Sequence, residues 1–339
     1  MPNWIGDLVM ATPVLFALKK AYPQAKLTAM VRSPLGEVLL KDPHIDELFH
    51  FNKLSMFARR DEKRDLVEKL RQGKYDLGVL LTNSFSSAWW FWQARVARRL
   101  GYAMHARSLL LTDAVPLPKN SKKQHLVLTY QQLLEPLGIT ATERSPKLYL
   151  SPEEIEAAKK LLSNFAIDLR YPLVGINPGA TYGSAKCWLP ERFHEVALQL
   201  LDKTEATILF FGDRAGAALV KEICSDLPKR VINLAGTTNL RELMALISLC
   251  NVLLTNDSGP MHMAYALGTD LVALFGSTDE VATGPYNSGT VIHKHVHCSP
   301  CFRRICPIDF RCMKQISTEE VVQTILEKLK TKHSKLALL

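Results

Sequence analysis

Two stretches of small and polar residues at the ends of apolar runs are the parts of this chain best suited to chemistry. One is Gly179-Ala180-Thr181-Tyr182-Gly183-Ser184-Ala185-Lys186, which follows the apolar run Leu173–Ile176 and ends on a cation. The other is Thr255-Asn256-Asp257-Ser258-Gly259-Pro260-Met261-His262, which follows the run at 251–254 and leads into Met263-Ala264-Tyr265-Ala266-Leu267. Each reads as a buried strand followed by a turn, and the second turn opens a helix. Backbone N–H groups at a helix start, with the positive end of its dipole, attract anions. Ser258 and Gly259 can offer N–H groups to a phosphate, and Asp257 can accept from sugar hydroxyls. Lys186 can neutralise charge growing on a leaving diphosphate. Thr181 and Tyr182 sit on a loop too polar for a core. The plainer readings are a surface lysine for Lys186 and a packed helix residue for His262.

Near the start, Asn3-Trp4-Ile5-Gly6-Asp7 opens another helix, with Gly6 permitting a tight turn and Asp7 at or beside the helix N-terminus. Asp7 is then either an N-cap or a carboxylate placed to accept a proton from an incoming hydroxyl. Toward the other end, Cys298, Cys301, Cys306 and Cys312 fall within fifteen positions. Zinc would suit such a group, although its second pair is spaced more widely than zinc sites prefer. The alternative is reduced structural thiols, since disulfides are not expected in a reducing cytoplasm.

These loops need strands and helices to hold them. Helical and strand signals alternate along the chain, which favours α/β architecture with parallel sheets. Leu8, Val9, Ala11, Val14, Leu15 and Leu18 make a helical stripe, and strands are expected near Lys26–Val31, Asp46–Phe51 and Asp76–Leu81. In the second half they are expected at Leu173–Asn177, Ala206–Phe211, Val231–Leu234, Asn251–Thr255 and Leu271–Phe275. Ser151-Pro152-Glu153-Glu154 is a good helix start beside the join. The simplest organisation is two Rossmann-like halves, 1–150 and 151–339, with a ligand crevice between them.

The net charge of +9 is uneven: residues 1–150 carry 22 Lys and Arg against 13 Asp and Glu, while residues 151–339 carry 20 of each. The first half is therefore expected to face something anionic, such as a lipid surface or a phosphorylated glycolipid. Nucleic acid is disfavoured, because no nucleic-acid motif is present and aromatic residues are not interleaved with the basic ones. No apolar run approaches the ~20 residues that span a bilayer. Met1-Pro2-Asn3-Trp4 lacks the charged-then-apolar pattern of a secretory signal, so a cytoplasmic location is expected.

Taken together, Trp4-Ile5-Gly6-Asp7, Asn83-Ser84-Phe85, Arg99-Leu100-Gly101-Tyr102, Pro178-Gly179-Ala180, Lys186-x-Trp188-x-Pro190, Asn256-Asp257-Ser258-Gly259 with Met261-His262, and Cys298-x-x-Cys301-Phe302 occur in an order that resembles one family. It is that of the bacterial lipopolysaccharide heptosyltransferases, family 9 of the glycosyltransferases. The resemblance implies a GT-B fold whose N-terminal domain takes the acceptor and whose C-terminal domain takes an ADP-sugar. It implies inverting transfer of L-glycero-D-manno-heptose from ADP-heptose to a Kdo-lipid A type inner core. Asp7 then resembles the general base, with Gly6 beside it, and Lys186 with Thr181 resembles the diphosphate contacts; Tyr182 stands where a hydroxyl residue is also found. Asp257, Ser258, Gly259 and His262 resemble the donor-binding loop. No cofactor is required by that scheme, and the enzyme would sit peripherally on the cytoplasmic face of the inner membrane. The cysteine segment and Asn83-Ser84-Phe85 favour members whose acceptor already carries one heptose, over those adding the first or a later core sugar. An inactive ADP-sugar or glycolipid-binding protein is the alternative of another class, and the presence of both Asp7 and Lys186 argues against it.

The family places an apolar strand before the Gly-Asp loop, and here only Met1–Trp4 precede Ile5. That first strand is central in a Rossmann-like sheet, so its absence exposes strand edges and leaves core unfilled. The expectation is a higher melting temperature for a version extended upstream by one strand; equal values would overturn it.

Overall fold

The N-terminal half begins with helix. In the computed structural model, which describes residues 1–52, 60–165 and 167–336, α1 (Ile5–Met10) and α2 (Thr12–Ala21) bury Leu8, Val9, Val14 and Leu15. Trp4 occupies the N-cap position of α1, and Asp7 lies in its first turn. The unit Met1–Pro146 continues through β1 (Thr28–Arg32), β2 (Glu47–Phe51), α3 (Arg60–Gln72), β3 (Leu77–Leu80), α4 (Phe85–Gln93), β4 (Arg98–Tyr102), β5 (Asp113–Val115) and α5 (Leu126–Gln132). Its strands form two parallel sheets, β1-β2 and β3-β4-β5. Among the described residues no strand precedes α1 and no ladder joins β1 to β3. The Met1 amine donates to the carbonyl of Met30 in β1 at 2.8 Å.

β4 goes unrecognised in the sequence because Arg98 and Arg99 make that stretch read as a charged run, and β5 because it is only three residues long. In the fold these cations are consumed locally. Arg98 pairs with Asp113 of β5 at 2.8 Å, and Arg99 Nε donates to the Leu110 carbonyl at 2.7 Å. Arg107 is 0% exposed, donating from Nε to the Tyr102 carbonyl at 2.9 Å and from Nη1 to that of Thr82. Desolvation lowers its pKa from the ordinary guanidinium value. Part of the basic run is therefore structural and unavailable to an anionic ligand.

The second unit, Lys147–Leu339, opens with α6 (Pro152–Ser163), held by a capping box between Ser151 and Glu154. It continues with β6 (Leu173–Asn177), α7 (Pro190–Lys203), β7 (Thr207–Phe210), α8 (Ala217–Ile223), β8 (Val231–Asn233), α9 (Leu240–Leu249) and β9 (Val252–Asn256). After them come α10 (Gly259–Leu267), β10 (Asp270–Phe275), α11 (Glu280–Thr283), β11 (Thr290–His293), α12 (Arg311–Lys314) and α13 (Thr318–Leu336). One parallel sheet of order β11-β10-β9-β6-β7-β8 runs through the unit. β6, β7 and β9 are buried along their whole length, which is why they read as unbroken apolar runs.

The strand order reverses between β6 and β9, and doubly wound sheets bind ligands at the carboxyl ends of such a pair. The loop leaving β6 is anchored by Trp188, which is 2% exposed. Its indole N–H lies 3.2 Å from the Met313 carbonyl and 3.3 Å from that of Ile316, and its ring meets Phe193 edge-on at 5.1 Å. Trp188→Ala is expected to destabilise this unit by about 3–5 kcal/mol, read as a lowered urea midpoint, with Trp188→Phe falling between.

Candidate functional site at the ends of adjacent strands

The loops leaving β6 and β9 are stitched together by two asparagines, one at the last position of each strand. Asn177 donates from its amide to the Gly179 carbonyl at 3.0 Å and to the Ser258 hydroxyl at 3.1 Å. Asn256 donates to the Pro178 carbonyl at 2.7 Å and accepts from the Trp188 backbone N–H at 3.0 Å. The bonds that join the two loops are not visible in the sequence, because their partners lie 68 to 81 positions apart. The Ser258 side chain makes no capping bond to α10, although Ser258 is the N-cap residue.

Lys186 stands at the centre of this arrangement. Its Nζ lies 2.5 Å from Asp257 Oδ2, and the Thr278 hydroxyl donates to the same oxygen at 2.6 Å. The lysine side chain is 14% exposed and that of Asp257 4%, so this is a buried ion pair rather than a surface one. The plain surface-lysine reading is thereby set aside. Tyr182 lays its ring 4.9 Å from Lys186 Nζ and 5.2 Å from the Arg304 guanidinium, with its hydroxyl donating to the Phe302 carbonyl at 2.9 Å. Gly183 passes so close to the Arg304 carbonyl that a Cβ there would collide with backbone. Ala185 N–H donates to that carbonyl at 3.0 Å. Thr181 is exposed on this loop, and His262 is buried in α10 with Nδ1 3.1 Å from the Tyr265 hydroxyl. Gly259 is the first residue of α10.

In the N-terminal unit, Asp7 follows the half-buried Gly6 and accepts from the Tyr130 hydroxyl of α5 at 3.0 Å. Burial, and then the Asp7 charge, push the Tyr130 phenol well above its ordinary range. Tyr130 is thus a neutral donor that orients the carboxylate without competing for its proton. Sequence reasoning missed Tyr130, Thr278 and Arg304, which reach these loops from distant segments.

The four cysteines weighed above as a zinc site or as reduced structural thiols line one cavity of about 210 Å³ with Gly276 and Ser277, and they form no disulfide. Among the described residues no three of their sulfurs lie within 4.8 Å of one another, so they do not present the tetrahedron zinc requires. The side chains that do converge with metal-ligating character are Glu280, His293 and His295. His293 Nδ1 lies 2.7 Å from Glu280 and its Nε2 lies 2.7 Å from the Ser299 hydroxyl, so hydrogen bonds account for the grouping.

A doubly wound sheet with two loops meeting at its switch point, in a chain carrying a second α/β unit, belongs to the GT-B class of α/β proteins. The chain is a member of glycosyltransferase family 9 (heptosyltransferase), whose profile matches residues 63–310. It is 30% identical to lipooligosaccharide heptosyltransferase 2 of Campylobacter jejuni, over 98% of both chains. It is 32% identical to lipopolysaccharide heptosyltransferase 2 of Salmonella typhimurium, over 84% of this chain and 83% of that one. Among solved structures, Escherichia coli ADP-heptose lipopolysaccharide heptosyltransferase II superposes with a TM-score of 0.81 at 28% identity, covering 98% of each chain.

Removing one member of the buried pair leaves the other without compensation. Lys186→Ala is expected to cost roughly 3 kcal/mol of stability in urea denaturation, and adding Asp257→Ala to recover part of it. Purely additive losses would show that the pair is not coupled.

Proposed function

We propose that this chain transfers L-glycero-D-manno-heptose from ADP-heptose, with inversion, to the first heptose of a Kdo-lipid A type inner core. The observation that carries the reading is the position of Lys186, held at the switch point beside the start of α10. The end-to-end likeness to proteins named heptosyltransferase 2 supports the choice of sugar and acceptor. In this reading the C-terminal unit holds the donor. The N–H groups of Ser258 and Gly259 and the positive end of α10 meet the diphosphate, with Thr181 and Tyr182 at its flank. Lys186 shares its charge between Asp257 and the phosphate oxygens, taking up the negative charge that builds as the bond to the anomeric carbon breaks. Asp257 and Thr278 hold the lysine ready, and His262 stiffens the first turn of α10 through Tyr265.

The N-terminal unit takes the acceptor. Asp7 removes the proton from the attacking hydroxyl as the new glycosidic bond forms on the face opposite the leaving ADP, which inverts the anomeric centre. Tyr130 keeps the carboxylate turned toward that hydroxyl. The chemistry balances with these groups alone: the proton goes to Asp7 and the electron pair of the broken bond to ADP. No helix among the described residues is long and apolar enough to cross a membrane. A lipid-anchored acceptor therefore calls for peripheral attachment to the cytoplasmic face of the inner membrane, where a basic unit meets anionic headgroups.

The test is ADP release from ADP-heptose with inner-core acceptors carrying no heptose or one. Release only with the mono-heptosylated acceptor is expected. Release only with the unheptosylated acceptor would move the assignment to transfer of the first heptose, and silence with both would overturn the reading. Asp7→Asn should lower kcat by roughly 10²–10⁴-fold with little change in KM for the donor. Tyr130→Phe should lower kcat by about tenfold.

A further inference from the structure

Helix α4, Phe85-Ser86-Ser87-Ala88-Trp89-Trp90-Phe91-Trp92-Gln93, contains no charged residue and has large aromatic rings on both of its faces. The inner face is accounted for by packing. Ala88 is buried, Trp90 meets Phe51 edge-on at 5.9 Å, and Phe91 presses on β3 so closely that a Cβ on Gly78 would lie 2.5 Å from its ring. The outer face is not. Phe85, Trp89 and Trp92, spaced four and three residues apart and hence on one side of the helix, are 47%, 38% and 46% exposed. Their rings form a continuous row, Phe85 stacked on Trp89 at 6.2 Å and Trp89 against Trp92 at 5.0 Å. The turn Ser108–Leu110 packs beside α4 and adds Leu109 at 94% exposure.

We propose that this aromatic row is the face by which the N-terminal unit docks on an anionic phospholipid bilayer. A contiguous exposed apolar patch marks an interaction site rather than ordinary surface. Tryptophan is the side chain that prefers the membrane–water interface, where its ring is apolar and its N–H remains wet. The row is a ridge and not a pocket. Protein partners concentrate their binding on anchors seated in pockets, whereas a fluid bilayer needs no shape complementarity. Charge points the same way: Arg95, exposed just past the helix, borders the row, and residues 1–150 hold the whole of the chain's positive excess. The inference takes its purpose from the lipid-linked acceptor proposed above, but its test requires neither substrate.

The full chain and its Trp89→Ser/Trp92→Ser variant would be sedimented with vesicles of phosphatidylethanolamine and phosphatidylglycerol, and separately with phosphatidylcholine vesicles. The wild type should bind the anionic vesicles, more weakly at high salt, and the variant should bind them at least about tenfold less. ADP release with a deacylated, soluble acceptor reports the glycosyl-transfer reading separately and should be equal for the two proteins, which also shows that the variant is folded. Equal vesicle binding by the two proteins, or none by the wild type, would overturn the proposal. Loss of activity on the soluble acceptor by a variant with an unchanged melting temperature would also overturn it, because the row would then contact the acceptor glycan.

Discussion

The C-terminal site depends on the amide of Asn256. One side chain, at the last position of β9, donates to Pro178 and accepts from Trp188, and so clamps both ends of the loop that carries Lys186. Without it that loop would leave β6 with its polar backbone groups competing for water, and the lysine would have no fixed place. Asn177 does the complementary work from the neighbouring strand, reaching Gly179 and Ser258. Two carboxamides, Asn256 donating and accepting and Asn177 donating, convert a pair of independent strand ends into one rigid platform.

On that platform the electrostatics become orderly. Burying Lys186 and Asp257 together costs desolvation on both, and the pair holds because Thr278 adds a further bond to the same carboxylate oxygen. The contact with Asp257 fixes the direction of the lysine side chain. In the proposed reaction this arrangement would serve a diphosphate, since a charge placed before the reaction needs no reorganisation during it. Asp7 is held differently, by a phenol that burial keeps neutral.

Much of this was legible in the chain, for identifiable reasons. β6, β7, β9 and β10 announce themselves because strands covered on both faces are unbroken apolar runs, and the loops after β6 and β9 follow from the small residues that end those runs. β4 was hidden by its arginines, and β11 by its shortness, a four-residue Thr-Val-Ile-His segment. The cysteine segment left two readings open, a metal cluster or reduced structural thiols, and the fold gathers all four as free thiols on the wall of one cavity.

The segments suited to an anion can be read from the chain alone, because glycine, serine and lysine at strand ends are local chemistry that needs no partner to be recognised. So can the ordered set of motifs that identifies the family. Only the tertiary structure decided that Asn177 and Asn256 join the two loops, that Asp257 answers Lys186, that Tyr130 aims Asp7, and that Arg107 is buried instead of facing solvent. Each of these involves a partner between 25 and 123 positions away, Thr82 in the case of Arg107. A hydrogen bond or ion pair carries direction and distance, and neither exists until the sheet has brought its strand ends side by side.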